Sequence, residues 1–315
     1  MERLSYPCTQ VVRIAGKQYL LPAVPIGEVT IVVKGTLLRV AEIHDEFFLE
    51  SCKLPEPEEV LNRLRAQRPR PDLFTFAQKL PDFAPRYSYP LEWDHVEAMR
   101  IRSYKQWLEA QISRGTKRCI AKAYRKGVTT RVAKFDEEFI SGICSIYNEL
   151  PVRQGKPFWH YGKARKVVEE ENATFLKRSR FLGAYYGEEM IGFIKLVIDG
   201  KVASLLQILS KRKHSDKSPT NALLAKAVEL CEEEGLEYLT YDRYIYGIES
   251  DNTLIDFKRH NGFIQMSVPR YTVPLTIRGM FAFRCGLHHG LKALLPSALL
   301  NRLIALRAWY YRTEA

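Results

Sequence analysis

The sequence predicts an α+β protein with a mixed central sheet flanked by helices. The first observation is the order of elements between residues 129 and 278, which runs strand, helix, helix, three strands, helix, strand, helix, strand. The second is a series of short strand-like segments between residues 11 and 50, followed by a helix. Strands and helices combined in this way favour a layered fold in which helices cover a sheet.

Length and composition exclude several classes of protein. The chain has 315 residues, 46% of them hydrophobic, which suffices for one large core or two smaller ones and argues against disorder. The formal net charge of +12 indicates a polyanionic partner, or else only a soluble basic surface. Because no apolar leader or membrane-length apolar run is present, we expect a cytoplasmic protein, with attachment to the inner face of a membrane left open.

No metal site is predicted. The six cysteines stand singly, with neither a C-x-x-C pair nor a histidine spacing typical of zinc ligands. We therefore expect reduced cysteines that act as small apolar residues.

Residues 1–100 are predicted to form a small α+β unit. Clusters of β-branched and apolar residues between turn signals predict short antiparallel strands. These clusters are VVRIAG, QYLLPAV, EVTIVVKG, TLLRVAEI and EFFLES. Proline and glutamate in the first turn of LPEPEEVLNRLRAQ indicate a helix, and PDLFTFAQKLPDF predicts one more strand.

Residues 101–128 are predicted to form a basic helical linker. Between Arg100 and Lys134 there are eleven lysines or arginines and a single acid, Glu109, with three aromatic residues interleaved. This composition is typical of a helix that follows a phosphate backbone. It is equally typical of an amphipathic helix that joins two domains and keeps its cations in solvent.

Residues 129–278 are predicted to form the main domain. The predicted elements are, in order, TTRVAKF, DEEFISGICSIYNELPVRQ, YGKARKVVEEENATFL, RFLGAYYG, EMIGFIKLVID, KVASLLQILS, SPTNALLAKAVELCEEEG, LEYLTYDRYI, TLIDFKRHNGF and QMSVPRYTVPL. Gly187 and the pair Asp199-Gly200 indicate tight hairpin turns between the three central strands.

This order resembles that of the GNAT acyltransferases, in their FemAB-like branch. SPTNALLAKAVELCEEEGLEYLTYD followed by LIDFKRHNGF is similar to the second half of such proteins, and KRCIAKAYRKGVTTRVAKFDEEFISGICSIYNELPVRQGK resembles their linker and first helix. The resemblance covers residues 100–275. It implies a GNAT-like mixed sheet in 129–278 and an abbreviated GNAT-like copy in 1–100.

The resemblance implies that a donor anion binds between the fourth strand and the next helix. GNAT enzymes hold the pyrophosphate of coenzyme A there with a glycine-rich loop, whereas this chain has KRKHSDKSPT, without glycine. Serine as N-cap and proline at the first helical position preserve a helix start suited to anions. The predicted donor ligands are Lys211, Arg212, Lys213, Lys217, Ser218 and Asn221. Acyl-CoA and aminoacyl-tRNA both remain candidates, as does a solvated loop without a ligand.

The resemblance also selects a catalytic lysine. The Phe-Lys pair in DFKRHNGF matches that of the FemX-like peptidyltransferases, in which the lysine is implicated in stabilising charge on the group being transferred. This makes Lys258 the first catalytic candidate; an exposed helical lysine is the alternative. Asp242 would act as a base or orient that lysine, and Tyr244 would donate a proton to the leaving group, unless they serve only as an ion-pair partner and a packing residue.

Acceptor contacts are expected between the first two helices of the main domain, where this fold places them. The predicted residues are Arg153, Gln154, Trp159, His160 and Tyr161. A single histidine at such a place is also typical of hydrogen-bonded scaffolding.

Residues 279–315 are predicted to form a basic amphipathic helical tail, interrupted at Pro296. From Thr276 onward there are six lysines or arginines and one acid. Such a helix fits an anionic membrane surface, the protein's own N-terminal unit or the partner of a homodimer.

The functional prediction is an acyltransferase that moves an acyl or aminoacyl group from a phosphate-bearing donor to an amine. The alternative is a catalytically inactive GNAT-like module that binds RNA or another polyanion. The first follows from the Phe-Lys match, and the second from the absent glycines.

Overall fold

The structure is a computed structural model that describes residues 6–14, 17–153, 155–243 and 252–289. The chain divides into two compact units. Of the described residues, unit 1 contains those before residue 95 and those in 267–289, and unit 2 contains those in 95–243 and 252–266.

The secondary structure comprises short strands and mostly short helices. The strands are β1 Cys8–Ile14, β2 Lys17–Ile26, β3 Val29–Lys34, β4 Val40–Ile43, β5 Leu73–Ala77, β6 Leu91–Arg100, β7 Val128–Ala133, β8 Val152–Arg153, β9 Lys156–Pro157, β10 Ser179–Tyr186, β11 Glu189–Asp199, β12 Val202–Ser210, β13 Tyr238–Arg243 and β14 Ile264–Pro274. The α-helices are α1 Pro57–Arg65, α2 Tyr104–Gln106, α3 Arg114–Arg125, α4 Glu137–Tyr147, α5 Arg165–Asn172, α6 Pro219–Glu233, α7 Asn252–His260 and α8 Ile277–Arg284. A π-helical turn, Trp107–Gln111, follows α2, and 3-10 turns occupy Glu46–Phe48, Ser51–Lys53, Leu176–Arg178, Arg212–Lys217 and Leu287–His289.

The predicted fold class is confirmed, because helices flank a mixed sheet. From β7 to β14 the main elements follow the predicted order, with only the two-residue strands β8 and β9 added between α4 and α5. The predicted domain boundaries at residues 100, 128 and 278 stay a prediction.

One predicted strand is wrong. The segment EFFLES forms two 3-10 turns, Glu46–Phe48 and Ser51–Lys53, instead of a strand. The carboxylate of Glu46 is buried; it accepts a hydrogen bond from the backbone N–H of Ala77 at 2.7 Å and pairs with Arg270 at 2.9 Å. These contacts with distant residues override the local preference of the two phenylalanines for a strand.

The strand β6 was not predicted, because its sequence LEWDHVEAMR is rich in charge. Two of its carboxylates are matched by partners that come from far along the chain. Asp94 binds Arg270 at 2.8 Å, and Glu92 binds His288 at 3.0 Å. Burial alone would lower the pKa of Arg270, but Glu46 and Asp94 outweigh this effect and raise it.

In unit 1 the strands run in the order β1-β2-β3-β4-β5-β14. The described pairs are antiparallel except for β4 with β5, which are parallel. The helix α1 buries Val60, Leu61 and Leu64 against this sheet, as its apolar spacing predicts.

In unit 2 the strands run in the order β6-β13-β12-β11-β10-β7. The sheet has an apolar core on each face: α3 and α6 cover one, and α4 covers the other. Because both faces are buried, β10 and β11 read as nearly continuous apolar runs rather than as alternating strands.

Lys195 is an exception within β11, since only 1% of this residue is exposed. Its ammonium donates hydrogen bonds to the carbonyl of Asn172 at 2.8 Å and to the carbonyl and hydroxyl oxygens of Thr174 at 2.6 and 2.9 Å. Burial lowers the pKa of Lys195 to about 8. The lysine thus satisfies backbone groups at the C-terminal end of α5.

The predicted tail is described only up to residue 289, and residues 290–315 lie outside the described part. The tail therefore stays a prediction beyond α8 and the following turn. In the part of the chain that the structure describes, none of the helices combines the length and apolar character required to span a bilayer.

We predict that Gly279→Ala destabilises the protein. A Cβ at this position would lie 1.9 Å from the backbone oxygen of Asp72, so α8 would have to shift. The same helix is held by Arg278, whose guanidinium contacts the buried Asp72 carboxylate at 2.8 and 3.0 Å. The expected loss is about 1–3 kcal/mol of unfolding free energy, measured by urea denaturation.

Gly115→Ala is the matched control. It lies in α3, where the nearest atom to an added Cβ is 3.6 Å away. Alanine should be neutral or stabilising there. Equal losses in the two variants would contradict the steric explanation.

Candidate active site

The two parallel strands β12 and β13 pair over only three residues each. The pairs are Val202 with Tyr238, Ala203 with Leu239 and Ser204 with Thr240. Beyond Ser204, β12 continues to pair with β11 up to Ser210, but no further pair with β13 occurs within the described residues. The sheet therefore opens between these strands at their carboxyl ends.

The helix α6 connects the two diverging strands, so it begins on the same edge as the opening. Ser218 occupies its N-cap position and Pro219 its first turn, as predicted. The serine side chain makes no capping hydrogen bond, and the residue has a left-handed backbone with φ of 54°. Its assignment as a donor ligand stays a prediction. In the first turn, the side-chain nitrogen of Asn221 lies 3.4 Å from the side-chain oxygen of Asn261.

The loop before α6 is held by a carboxylate of β11. Glu189 contacts the ammonium of Lys211 at 2.6 Å, that of Lys213 at 2.7 Å and Nε2 of His214 at 3.0 Å. Lys211 is 5% exposed and also donates to the Ser145 hydroxyl at 2.6 Å. Burial opposes ionisation of Glu189, but these three donors lower its pKa to about 2.

A second carboxylate, that of Glu149, accepts backbone N–H groups of the same loop. Its oxygens lie 2.7 Å from the nitrogen of Arg212 and 2.8 Å from that of Lys213. Lys217 contacts Asp216 at 3.4 Å. The assignment of these cations as donor ligands stays a prediction, and each of the three lysines of the set contacts a carboxylate within the protein.

Lys258 lies on α7 and is buried. The alternative of an exposed helical lysine is therefore wrong. Lys258 is 2% exposed, and its ammonium lies 4.6 Å from the ring centroid of Tyr241. Tyr241 follows Thr240, the last residue of β13 that pairs with β12. Burial raises the pKa of Glu97, and the positive charge of Lys258 partly offsets this rise. A lysine and a carboxyl group that interact electrostatically are thus both buried in unit 2.

Three predicted residues lie wholly or partly outside the described part of the chain. Asp242 belongs to β13, but its side chain lies outside the described atoms. Tyr244 and Gln154 lie outside the described residues altogether. Their predicted roles stay predictions.

Some of the predicted acceptor residues are hydrogen-bonded within the protein, and others are exposed. Arg153 is internal: its guanidinium donates to the carbonyls of Ile146 and Ser210, at 2.8 and 3.1 Å, and pairs with Glu149 at 3.3 Å. Trp159 and Tyr161 are about half exposed.

His160, at 5% exposure, belongs to a polar cluster with Gln207 of β12 and Tyr147 of α4. Its Nε2 lies 3.2 Å from Nε2 of Gln207, which in turn lies 2.8 Å from the hydroxyl of Tyr147. Burial raises the pKa of Tyr147 to about 12, so this phenol is protonated at neutral pH. Sequence reasoning missed Gln207 and Tyr147. The single glutamine in the apolar strand ASLLQILS was the available signal.

In unit 1, side chains of types that bind metals meet at Glu92, His288 and His289. Their candidate ligand atoms lie within 4.8 Å of one another. Both histidine Nε2 atoms are within 3.0 Å of the carboxylate, as expected for hydrogen bonds. The sequence did not predict this cluster, because its members are nearly 200 residues apart.

We predict that Glu189→Gln destabilises the protein at neutral pH by about 1–2 kcal/mol, a value reduced for the 35% exposure of this side chain. A lowered carboxyl pKa stabilises the fold above the unfolded value of 4.5. That stabilisation is lost as the pH falls from about 4.5 to about 2. The difference in unfolding free energy between wild type and variant should therefore shrink over this window. Glu138→Gln, whose side chain is 80% exposed, is the control and should change stability little at any pH.

Comparisons with known proteins agree on the fold. No protein-family model matches the chain, and no curated protein sequence does either. Among solved structures, L-PGS from Bacillus licheniformis is 14% identical with a TM-score of 0.52, over 81% of this chain and 85% of that one. The C-terminal DUF2156 domain assigned to a lysylphosphatidylglycerol synthetase of Agrobacterium fabrum is 11% identical with a TM-score of 0.53, over 89% and 88%. FemX is 8% identical with a TM-score of 0.53, over 88% and 90%. The resemblance to GNAT-fold, FemAB-like proteins is thus confirmed at the level of the fold.

Proposed function

We propose that the chain is a transferase that moves an acyl or aminoacyl group from a phosphate-bearing donor to an amine. The observation that carries this proposal is the opening between β12 and β13. It lies at the carboxyl ends of two parallel strands, where ligands of open α/β sheets bind. The start of α6 adds an electropositive helix end on the same edge.

The reaction makes defined demands on the site. The neutral amine nitrogen attacks the carbonyl carbon of the donor, and the new C–N bond replaces the bond from that carbon to the sulfur or oxygen of the carrier. The amine proton moves to the leaving atom. A fixed positive charge next to the carbonyl oxygen stabilises the oxyanion that forms between these steps.

Lys258 is the proposed source of that charge. Its ammonium is buried against the ring of Tyr241, which follows the last residue of β13 that pairs with β12. A charge fixed in a site that excludes water stabilises a transition state more than a solvated one does. Asp242 is proposed to orient this lysine or to act as a base, and Tyr244 to protonate the leaving group.

The donor is proposed to bind along the loop and the first turn of α6. Arg212 is its most available cation, because its side chain is exposed and forms no ion pair in the described part of the chain. Trp159 and Tyr161 are proposed to contact the acceptor amine. Their half-exposed rings suit an apolar surface around a substrate.

A catalytically inactive module that binds RNA or another polyanion is the second candidate. It is favoured by the loop itself, which has no glycine and whose lysines contact carboxylates of the protein. Thermal shift with coenzyme A, acetyl-CoA and aminoacyl-tRNA separates the two candidates. Stabilisation by one acyl donor supports the transferase, whereas equal stabilisation by heparin and by every nucleic acid supports the binder.

We predict that Lys258→Met lowers the rate of acyl transfer by at least about 100-fold, since removal of an oxyanion-stabilising group typically has this effect. Transfer of a radiolabelled acyl group from acyl-CoA, and of a labelled amino acid from aminoacyl-tRNA, to a panel of primary amines measures the rate. Lys258→Arg, which keeps the charge, should retain more activity than Lys258→Met.

Arg259→Gln is the control, because it removes a neighbouring cation of α7 whose side chain is 70% exposed. Its rate should stay within about twofold of wild type. A folded Lys258→Met protein with wild-type activity would reject the role of the lysine. A wild-type protein that transfers neither kind of group would reject the proposed function.

A further inference from the structure

The helix α3 carries a row of cations along one face. Arg114, Arg118 and Lys122 follow at four-residue intervals, and Arg125 comes three residues later. Positions at this spacing return to the same side of an α-helix, and the eleven steps from Arg114 to Arg125 extend over about 16 Å. The opposite side of α3 is the one that packs into the core of unit 2. We call these four residues the α3 stripe.

The α3 stripe is available to an external partner. Arg114, Arg118 and Arg125 are exposed, and Lys122 is half-buried. Within the described ranges, none of the four forms an ion pair, whereas the next residue, Lys126, contacts Asp216 at 2.7 Å. The lysines of the loop before α6 also contact carboxylates of the protein. The α3 stripe therefore combines four uncompensated cations on one helix face, whereas the lysines of the loop before α6 are paired.

Uncompensated charge of this kind has a cost within the helix. Like charges three or four residues apart on a helix repel one another and destabilise it. A bound polyanion removes this repulsion and releases its own counterions, which drives binding at low salt. The arrangement thus favours a ligand with a row of negative charges over one with a single phosphate.

The side chains around the α3 stripe distinguish a nucleic acid from a membrane surface. A helix that lies on a lipid bilayer needs large apolar side chains next to its cations. Between the cations of the stripe stand mainly small residues, and Tyr124, at 44% exposure, is the exposed large side chain. An aromatic ring interleaved with arginines suits stacking on a nucleobase.

We propose that α3 binds a nucleic-acid phosphate backbone through Arg114, Arg118, Lys122 and Arg125. The contact between Lys126 and Asp216 joins the end of this helix to the loop before α6. If the proposed transferase function holds, on which this last step rests, a nucleic acid bound on α3 lies next to the donor site and is suited to carry the donor group. Binding to the stripe itself does not depend on catalysis.

The test compares two triple variants of the full chain. Arg114→Gln, Arg118→Gln and Arg125→Gln remove three exposed cations of the α3 stripe. Arg63→Gln, Lys166→Gln and Lys177→Gln remove three exposed cations elsewhere that also form no ion pair in the described part of the chain, so the change in net charge is identical. Fluorescence anisotropy with labelled tRNA and a labelled DNA duplex measures the dissociation constant at salt concentrations from about 50 to 300 mM.

The stripe variant should lose at least about tenfold in affinity at roughly 0.1 M salt, and its slope of log K against log salt should fall by about 2 to 3. The control variant should stay within about twofold of wild type. Losses on tRNA and DNA alike indicate readout of the backbone, and a loss on tRNA alone indicates readout of RNA shape; both support the proposal.

Three results would overturn the proposal. The first is a wild-type protein that binds neither nucleic acid, and the second is an equal loss in both triple variants, which would reflect net charge alone. The third is a stripe variant that keeps its affinity for nucleic acid but no longer binds phosphatidylglycerol vesicles. Nucleic-acid binding without any acyl transfer would reject the proposed function and leave this inference intact.

Discussion

The three-residue pairing of β12 and β13 is the constraint on which the architecture of unit 2 depends. Two parallel strands joined by a helix form a βαβ unit, so their carboxyl ends and the start of that helix meet at one edge of the sheet. Because pairing stops at Ser204 and Thr240, that edge is open. A register shift in the pairing of β13 with β6 comes at the same point, between Thr240 and Arg243. The opening and the start of α6 at the same edge therefore result from one feature of the sheet.

Charge is distributed unevenly over this basic protein. Glu189 and Glu149 attach the loop before α6 to the rest of unit 2 through side-chain and backbone donors respectively. Positive charge in this loop therefore contributes to its conformation and is partly neutralised within the protein. The cations of the α3 stripe have no carboxylate partners among the described residues. In the sequence, however, α3 and the loop before α6 look equally basic. Net charge alone does not distinguish a structural cation from one that is available to a ligand.

Several polar residues in the cores are explained by partners distant in sequence. Lys195 satisfies the end of α5, and Arg270 lies between Glu46 and Asp94. Asp72 anchors Arg278 and the start of α8. A buried charge is tolerated when it is paired or hydrogen-bonded. Arg270 and Asp72 have partners of opposite charge, whereas Lys195 has only neutral oxygen acceptors, and burial lowers its pKa. Arg270 contacts both EFFLES, which was wrongly predicted as a strand, and β6, which was not predicted. Local sequence rules therefore fail where such distant partners determine the structure.

The sequence by itself determined the fold class, the order of elements from β7 to β14 and the apolar faces of helices such as α1 and α6. Periodicity and turn residues act locally, so they are readable from neighbouring residues. It also identified the loop before α6 and Lys258 as candidates, through a resemblance carried by a few motifs. Only the tertiary structure decided that the lysines of this loop pair with carboxylates, that Lys258 is buried beside Tyr241, and that Gln207 joins Tyr147 and His160. Lys211 and Glu189 are 22 positions apart, Lys258 and Tyr241 are 17 apart, and Gln207 and Tyr147 are 60 apart. Such long-range pairings are fixed by packing of the whole sheet and not by local preference.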